Sequence, residues 1–371
     1  MSFCMESLRL YRDKSIVDKL RKAIWEIMPE REIRIVHVCG THEQTIARYG
    51  LRSLLPQRLE VRAGPGCPVC CVPAHDVDEA IKIATEHKNS ILTTFGDMLR
   101  VPGTNMSLWD ARAAGGDVRI VYSISDAVEL ARRNPKREVV FFAVGFETTA
   151  PTTAYEILNA PSNFSVLVSH RLIPPIMELL LGLGETYFEG FIAPGHVATI
   201  IGVKPFRIFP ETYRMPTVVA GFEPLDVLAG VRMLLEQITG MRPLDVLNEY
   251  TRSVTEDGNL KAQKLMEEVF EVTSGNWRGI GRVPNSALKL REEHRSHDAR
   301  LRFNVKVEGA RDIHPDCSCH LVLTGRLKPT DCPLFGEICT PERPYGPCMV
   351  STEGTCYIWQ HYGEPKKIIE K

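Results

Sequence analysis

From Ile33 to Ala220 the chain alternates short apolar, β-branched runs with helical stretches, and this order limits its fold more than any other feature. The predicted strands are Ile33–Val38, Leu59–Ala63, Ser90–Phe95, Val118–Tyr122, Val139–Val144, Phe164–Val168, Gly190–Ala193 and Thr217–Ala220. Most are continuous apolar runs rather than strict alternations, the pattern of strands covered on both faces of a parallel sheet. Helical segments such as His75–His87, Ser125–Arg133 and Pro174–Leu183 fall between them. Strand and helix in repeated order call for doubly wound α/β domains. Two smaller sheets fit the length better than one large sheet, with the break at the polar stretch Asn134-Pro135-Lys136-Arg137. The expected organisation is an N-terminal amphipathic helix (1–30), α/β domains over 31–135 and 136–221, and a C-terminal domain over 222–371. That last domain is expected to be mostly helical and loop-rich, with helices at Pro224–Ile238, Leu244–Glu249 and Leu260–Val272 and a tail from Cys317 rich in Cys, Pro and Gly.

The residues just past each strand are more informative than the strands themselves. Ile33–Val38 runs into Cys39-Gly40-Thr41-His42-Glu43, and Leu59–Ala63 into Gly64-Pro65-Gly66-Cys67-Pro68-Val69-Cys70. The other ends lead to Gly96-Asp97, Gly145-Phe146-Glu147, Ser169-His170-Arg171 and Pro194-Gly195-His196. Ligands of open α/β sheets bind outside the carboxyl ends of the strands. Turn chemistry accounts for the glycines and prolines but does not call for Cys, His and Glu, so these ends are expected to line a functional cleft.

Eleven cysteines require a chemical explanation. The N-terminus mixes acids and bases, unlike a signal peptide, and no apolar run approaches the roughly 20 residues that span a bilayer. A cytoplasmic location follows as the expectation, and in that reducing compartment thiols in such numbers serve metals or redox chemistry rather than structural bridges. They are also unevenly placed: five lie at or before Cys71, six at or after Cys317, and none between. Only Cys4 reads as a plain buried hydrophobe. Basic and acidic side chains number 45 and 46, a balance without the footprint of a nucleic-acid or membrane partner.

The tail carries the strongest signal, Cys332, Cys339, Cys348 and Cys356 in a C-x6-C-x8-C-x7-C run. Thiolates select zinc, copper(I) or iron–sulfur clusters. The short C-x2–4-C knuckles of structural zinc are missing here, and wide spacing beside prolines fits a [4Fe–4S] cluster held by a wrapping loop better than zinc or free thiols. Cys317 and Cys319 stand in reserve, as further ligands or as packing near the cluster. Cys67 and Cys70 form a C-x-x-C at a strand end, which reads as a redox dithiol or as half of a zinc site. Cys71 is adjacent and competes for the pairing. Cys39, placed before glycine and near His42 and Glu43, is a candidate nucleophile or iron ligand. His42 and His196 each read equally as functional groups or as capping and buried hydrogen-bonded residues.

The motifs CGTHE (Cys39–Glu43), GPGCPVC (Gly64–Cys70), TFGDMLRVPG (Thr94–Gly103), GFETT (Gly145–Thr149), PGHV (Pro194–Val197) and GFEPLD (Gly221–Asp226) resemble those of the HypD family of [NiFe]-hydrogenase maturation proteins. So does the tail Asp331–Cys356, and the resemblance runs in order from about residue 30 to the end. It implies two α/β domains facing a cleft and a third domain with a [4Fe–4S] cluster. It implies a scaffold that works with HypC, holds a transient Fe(CN)2CO iron, receives cyanide from a HypE thiocyanate and hands the unit to the hydrogenase large-subunit precursor. Under it, Cys39 ligates that iron, Cys67 and Cys70 are the redox pair, and Cys332, Cys339, Cys348 and Cys356 hold the cluster. His42, His196 and Glu353 orient or protonate bound groups. Such a protein is a scaffold and cyanide-transfer partner rather than a conventional standalone enzyme. Cys71 departs from the family pattern.

Three other readings compete, one of them a purely structural interaction protein, which would not need the reactive thiols. An iron–sulfur-dependent disulfide reductase acting on a partner protein would use the same cluster and dithiol but leaves Cys39 with His42 and Glu43 unexplained. A nucleotide-binding α/β enzyme is disfavoured, since neither G-x-x-x-x-G-K-[ST] nor a helix-opening G-x-G-x-x-G occurs.

Overall fold

The computed structural model describes residues 13–184 and 187–363. Its strands are β1 (Ile33–His37), β2 (Leu59–Ala63), β3 (Ser90–Thr94), β4 (Val118–Ile120), β5 (Glu138–Gly145), β6 (Phe164–His170), β7 (Phe191–Pro194), β8 (Thr217–Ala220), β9 (Val246–Asn248), β10 (Phe270–Trp277) and β11 (Gly281–Leu290). Two sheets are wholly parallel, in the orders β2-β1-β7-β8-β9 and β4-β3-β5-β6, and β10 and β11 form an antiparallel hairpin. The protein is α/β, as the continuous apolar runs require.

The sheets do not divide the chain at Asn134–Arg137. Strands β3 to β6 build the second sheet as a block inserted between β2 and β7, and the chain then returns to lay β7 beside β1. This corrects the 31–135 and 136–221 boundaries. Asn134–Arg137 is the tight turn feeding β5, closed by the Arg137 amide donating to the Asn134 carbonyl at 2.9 Å. Parallel neighbours are chosen by hydrogen bonds between distant segments, which no local apolar run encodes. Two predicted helices also change. Leu244–Glu249 contains edge strand β9, paired with β8, because a short apolar window fits either period and the exposed sheet edge decides it. Leu260–Val272 is helical only through Val269, and Phe270 opens the β10–β11 hairpin, which the sequence does not announce. Of the N-terminal helix, Lys14–Ile27 is described; Cys4 lies outside the described residues.

Three packed layers result. The helices Lys14–Ile27, Gly40–Arg48 and Pro224–Ile238 cover one face of the first sheet through Ile24, Ile46 and Leu228 against Ile35 and Val218. Ile124–Arg133, capped by a reciprocal Ser123–Asp126 box, and Ala150–Leu158 cover one face of the second through Val128 and Ile157 against Phe141 and Val166. The remaining faces share one core, in which Val36 and Phe191 join Phe142 and Leu167, Trp277, and the tail residues Val322, Leu323, Met349 and Val350. Each such side chain contributes about 1.5–3 kcal/mol by leaving water. The tail is therefore built into the main core rather than cored by itself.

His170, at the end of β6, is fully buried with Nε2 3.0 Å from Thr153 Oγ1, and burial pushes its imidazole down to about 4. The unfolded chain takes up this proton below about pH 6.5 while the folded protein does not, so the contribution is whole above that pH. It should fall toward pH 4 with a slope of about 1.4 kcal/mol per pH unit. His170→Asn is expected to flatten that slope, read from urea midpoints across the window; an unchanged slope would assign the acid sensitivity to other groups.

Candidate functional site

Strand order reverses between β1 and β7 in the first sheet and between β3 and β5 in the second, and these reversals open crevices at the carboxyl ends. The first holds Cys39, which caps the helix Gly40–Arg48, and His196, in the first turn of Gly195–Ile201. The second holds Asp97 and Glu147. Glu353, from the tail, joins the two: its carboxylate accepts from Thr41 Oγ1 at 3.4 Å and lies in the field of Asp97. Burial, reinforced by Asp97, raises the Glu353 carboxyl above its ordinary range. A Cβ on Gly40 would sit 2.5 Å from the Glu353 carbonyl oxygen, so glycine is what admits the tail here.

The GPGCPVC loop is held against Cys39 by its backbone. The Gly64 amide donates to the His37 carbonyl at 2.7 Å, and the Gly40 amide to the Gly66 carbonyl at 3.2 Å. A Cβ on Gly66 would lie 2.1 Å from the Cys39 nitrogen, and no other residue could occupy that position without moving the loop away. Cys67 is the next residue. Cys67 and Cys70 are joined as a disulfide, with Cα atoms 5.3 Å apart, and Cys71 is a free buried thiol directed at the Pro65 carbonyl. The pairing that the sequence left open is thus Cys67 with Cys70 in this structure. Cys70 Sγ lies 3.8 Å from the Pro347 carbonyl, next to Cys348 of the tail. Burial, with Glu353 nearby, pushes the Cys39 thiol up to about 11, opposed by the amides of His42 and Thr41.

His42 and Glu43 turn away from Cys39. His42 Nε2 donates to the carbonyls of Gly221 at 2.9 Å and Ala220 at 3.2 Å, and burial drives its imidazole down to about 3, so it is neutral. Phe222 stacks on His42 at 4.8 Å and on the exposed His196 at 3.7 Å, linking the two predicted imidazoles through one ring. Glu43, wholly buried, accepts from Arg52 at 2.9 and 2.7 Å and from Trp359 Nε1 at 2.6 Å, and pairs with His37 Nε2 at 2.7 Å. Burial alone would raise its carboxyl, but Arg52 and the His37 bond outweigh this and hold it well below the usual carboxylate range. It is the bolt that ties strand β1, the helix Gly40–Arg48 and the C-terminal helix Thr355–Tyr362 together.

Six thiols meet in the tail. Cys319 Sγ is 3.1 Å from Cys348 Sγ, and Cys317 and Cys356 extend the group on either side through further sulfur contacts. Cys339 lies in the field of Cys356 and Cys332, and its sulfur accepts from the Tyr345 amide at 3.3 Å. The sulfur contacts with Cys317 and Cys348, together with Arg278, bring the Cys319 thiol well below the ordinary value, and the same contacts push Cys317 and Cys348 up. This donor set, with five of its six thiols buried, Cys332 half-buried and Cys319 close to a guanidinium, has the sulfur chemistry to suit a soft metal group of the iron–sulfur kind.

Sequence reasoning put Cys39, Cys67, Cys70, His42 and His196 at strand ends and named Glu353 only through the family resemblance; the structure lays Glu353 against Gly40 and the GPGCPVC loop against Cys39. It left Cys319 in reserve, carried Asp97 only as part of a strand end without a role, and missed Arg278, Phe222 and the partners of Glu43. Phe222 and Asp97 lie inside motifs already noted, so their place after strand ends was an available signal; Arg52 and Trp359 offered none.

An α/β frame with a disulfide and a buried thiol at strand ends, and a group of six thiols in the tail, defines a parallel-sheet protein with a cysteine-rich crevice. The family model "HypD: Hydrogenase formation hypA family" matches residues 14–363, and the chain belongs to the HypD family. It is 45% identical over 366 residues to hydrogenase maturation factor HypD2 of Bradyrhizobium diazoefficiens, covering 95% of this chain and 96% of that one. It is 46% identical over 353 residues to a putative hydrogenase expression/formation protein of Methanocaldococcus jannaschii, with coverages of 94% and 96%. To hydrogenase maturation factor HypD of Cupriavidus necator it is 42% identical over 377 residues, with coverages of 98% and 99%. Among the described residues no helix is long and apolar enough to cross a membrane.

Proposed function

We propose that the chain is a hydrogenase maturation factor on which, together with HypC, the Fe(CN)2CO unit is assembled, with cyanide arriving from HypE and the finished unit passing to the hydrogenase large-subunit precursor. The observation that carries this reading is the close approach at Gly66, which sets the Cys67–Cys70 pair beside Cys39. Cys39 would be the protein's ligand to the cargo iron. Its buried thiol must lose a proton to bind, and the amides at the helix start favour the resulting thiolate.

Cyanide release from a thiocyanate is reductive. In the dithiol state, Cys67 and Cys70 would give up two electrons and two protons as the S–S bond forms, and RSCN would leave as RSH and HCN. Glu353, with its carboxyl raised by burial, is placed to hold a proton at the mouth of this site. Cys332, Cys339, Cys348 and Cys356 would hold a [4Fe–4S] cluster, which supplies single electrons when bound. His42 and His196 would position Phe222 and the GFEPLD turn rather than carry protons, since His42 is bound to carbonyls through Nε2. A disulfide reductase would use the same dithiol but gives no role to Cys39, a buried thiol held beside that pair, which favours the scaffold over that alternative.

The test is an infrared spectrum of the anaerobically purified protein co-expressed with HypC and the other maturation proteins. Metal-bound CO and cyanide bands are expected in the wild type and absent from Cys39→Ala. Bands of equal strength in the variant would remove Cys39 from the iron; iron and sulfide without bands in either protein would restore the disulfide-reductase reading.

A further inference from the structure

Glu147 has no part in the chemistry above, yet its surroundings are those of a binding site. Glu147 and Leu172 each lie two residues past a strand, at the carboxyl ends of β5 and β6, where open α/β sheets take their ligands. Between them and the layer formed by the helix Leu260–Val269 and the β10–β11 hairpin lies a cavity of about 390 Å³. That volume falls within the roughly 300–1,000 Å³ of small-molecule sites. Leu172, Ile201, Met266, Phe270 and Leu288 form its apolar walls, and among the described residues no cysteine lines it.

Only one oxygen of the Glu147 carboxyl is satisfied. Oε1 accepts from the Ile173 amide at 2.8 Å, at the start of the helix Ile173–Gly182. The next two positions are Pro174 and Pro175, which have no N–H to offer. Oε2 is buried and has no hydrogen-bond partner among the described residues. Glu147 is 2% exposed, and burial raises its carboxyl to about 7. A carboxylate so placed is destabilised until a donor reaches its second oxygen. The other ionisable groups of the cavity lie at its outer end. Glu267 and Arg291 are exposed, Arg291 Nε donating to the Glu267 carbonyl at 2.7 Å, and Glu271 pairs with Lys289 at 2.8 Å. The lining thus sets three carboxyl groups against one guanidinium, and the acids still outnumber the bases when Lys289 is counted. The Phe270 ring and the Met266 thioether are polarisable surfaces that suit an organic cation.

We propose that this cavity binds a small organic ammonium ion, whose nitrogen donates to Glu147 Oε2 and whose apolar body lies along Leu172, Met266 and Phe270. Charge selects the ligand. An anion is repelled by Glu147 and Glu267, and a neutral molecule leaves the Glu147 carboxylate without a counter-charge. Depth limits its size, since Glu147 stands behind apolar walls that only a slim amine passes. Binding makes no covalent bond and needs no metal, so it is independent of the cargo and cluster readings above. A bound amine ties the ends of β5 and β6 to the helix Leu260–Val269 and the hairpin, and stabilises the folded chain in proportion to its occupancy.

The probe is 2-phenylethylammonium, titrated calorimetrically into the full chain beside 2-phenylethanol, its uncharged counterpart of equal size. The wild type is expected to bind the amine about tenfold or more tightly than the alcohol, the margin of a charge-assisted hydrogen bond over a neutral one. Glu147→Gln keeps an oxygen for the Ile173 amide but loses the charge, and should bind the two equally. Val272 lines the cavity and is 56% exposed, so Val272→Trp should fold, narrow the entrance and weaken both ligands. Equal binding of amine and alcohol by the wild type would overturn the proposal, as would a preference for the amine that survives in Glu147→Gln. Absence of amine binding would overturn it too. Should Glu147→Gln fail to fold, Val272→Trp decides: undiminished amine binding there puts the ammonium elsewhere on the chain and sinks the assignment.

Discussion

Glu43→Ala is expected to destabilise the protein by about 3–5 kcal/mol, the usual effect of removing one partner from a buried ion pair. Glu43 is fully buried, and four donor or ring groups converge on its two oxygens from His37, Arg52 and Trp359. Taking it away leaves the Arg52 charge and the Trp359 N–H without their acceptor in a region water does not reach. Arg52 retains its bonds to the Val61 carbonyl, which is why the effect stops short of the full desolvation cost. Glu43→Gln keeps the shape but exchanges a charged acceptor for an amide, and should fall between the wild type and Glu43→Ala. The carboxyl is depressed in the folded state, so its contribution is whole above the unfolded value of about 4.3 and is lost as pH falls below it. Urea unfolding at neutral pH measures the loss. A change under about 1 kcal/mol would mean that the surrounding donors find other acceptors or water. Because Glu43 ties the C-terminal helix to the strand carrying Cys39, the variant should also loosen the tail before global unfolding, seen as faster amide exchange in Thr355–Tyr362.

On the proposed cluster reading, Cys348→Ser is expected to remove nearly all bound iron and sulfide from protein prepared without oxygen, whereas Cys71→Ala should keep both. The two residues make a matched pair, since each is a buried thiol close to Cys319. They differ in chain position: Cys348 belongs to the tail run, while Cys71 directly follows the GPGCPVC motif, its thiol directed at the Pro65 carbonyl. Hydroxyl oxygen is a poor substitute for thiolate toward soft iron, so losing one of four ligands should release the whole group. The tail from Cys317 to Gly354 contains only short helical turns, and the metal group would supply much of its cohesion. Cys348→Ser should therefore also become sensitive to proteolysis in this stretch while the parallel sheets stay intact. Full iron in Cys348→Ser would move the ligand set toward Cys319 or Cys317, the other sulfurs within reach.

The apolar runs, their parallel-sheet character and the concentration of Gly, Cys and His at strand ends were legible in the sequence because each is a local property. A run such as Val139–Val144 is too apolar for any place but the interior, and a glycine next to a cysteine after a strand marks a turn with a reactive group in it. The two cysteine-rich segments were equally plain, as was the chance that Cys67 and Cys70 pair. What the sequence alone did not determine was which strands are neighbours. Strands β3 to β6 look like a continuation of β1 and β2, and only pairing between Val36 and Phe191 shows that the chain leaves the first sheet and comes back. That return creates the switch point that carries Cys39 and His196 at neighbouring strand ends. The tertiary structure also separated the roles inside CGTHE, where Cys39 faces the GPGCPVC loop while His42 binds Gly221 and Glu43 binds Arg52 and Trp359. Composition and spacing report what a segment can do by itself. Sheet order, the bolt at Glu43 and the contact between Cys319 and Cys348 depend on groups that lie far apart in the chain and meet only when the shared core closes around them.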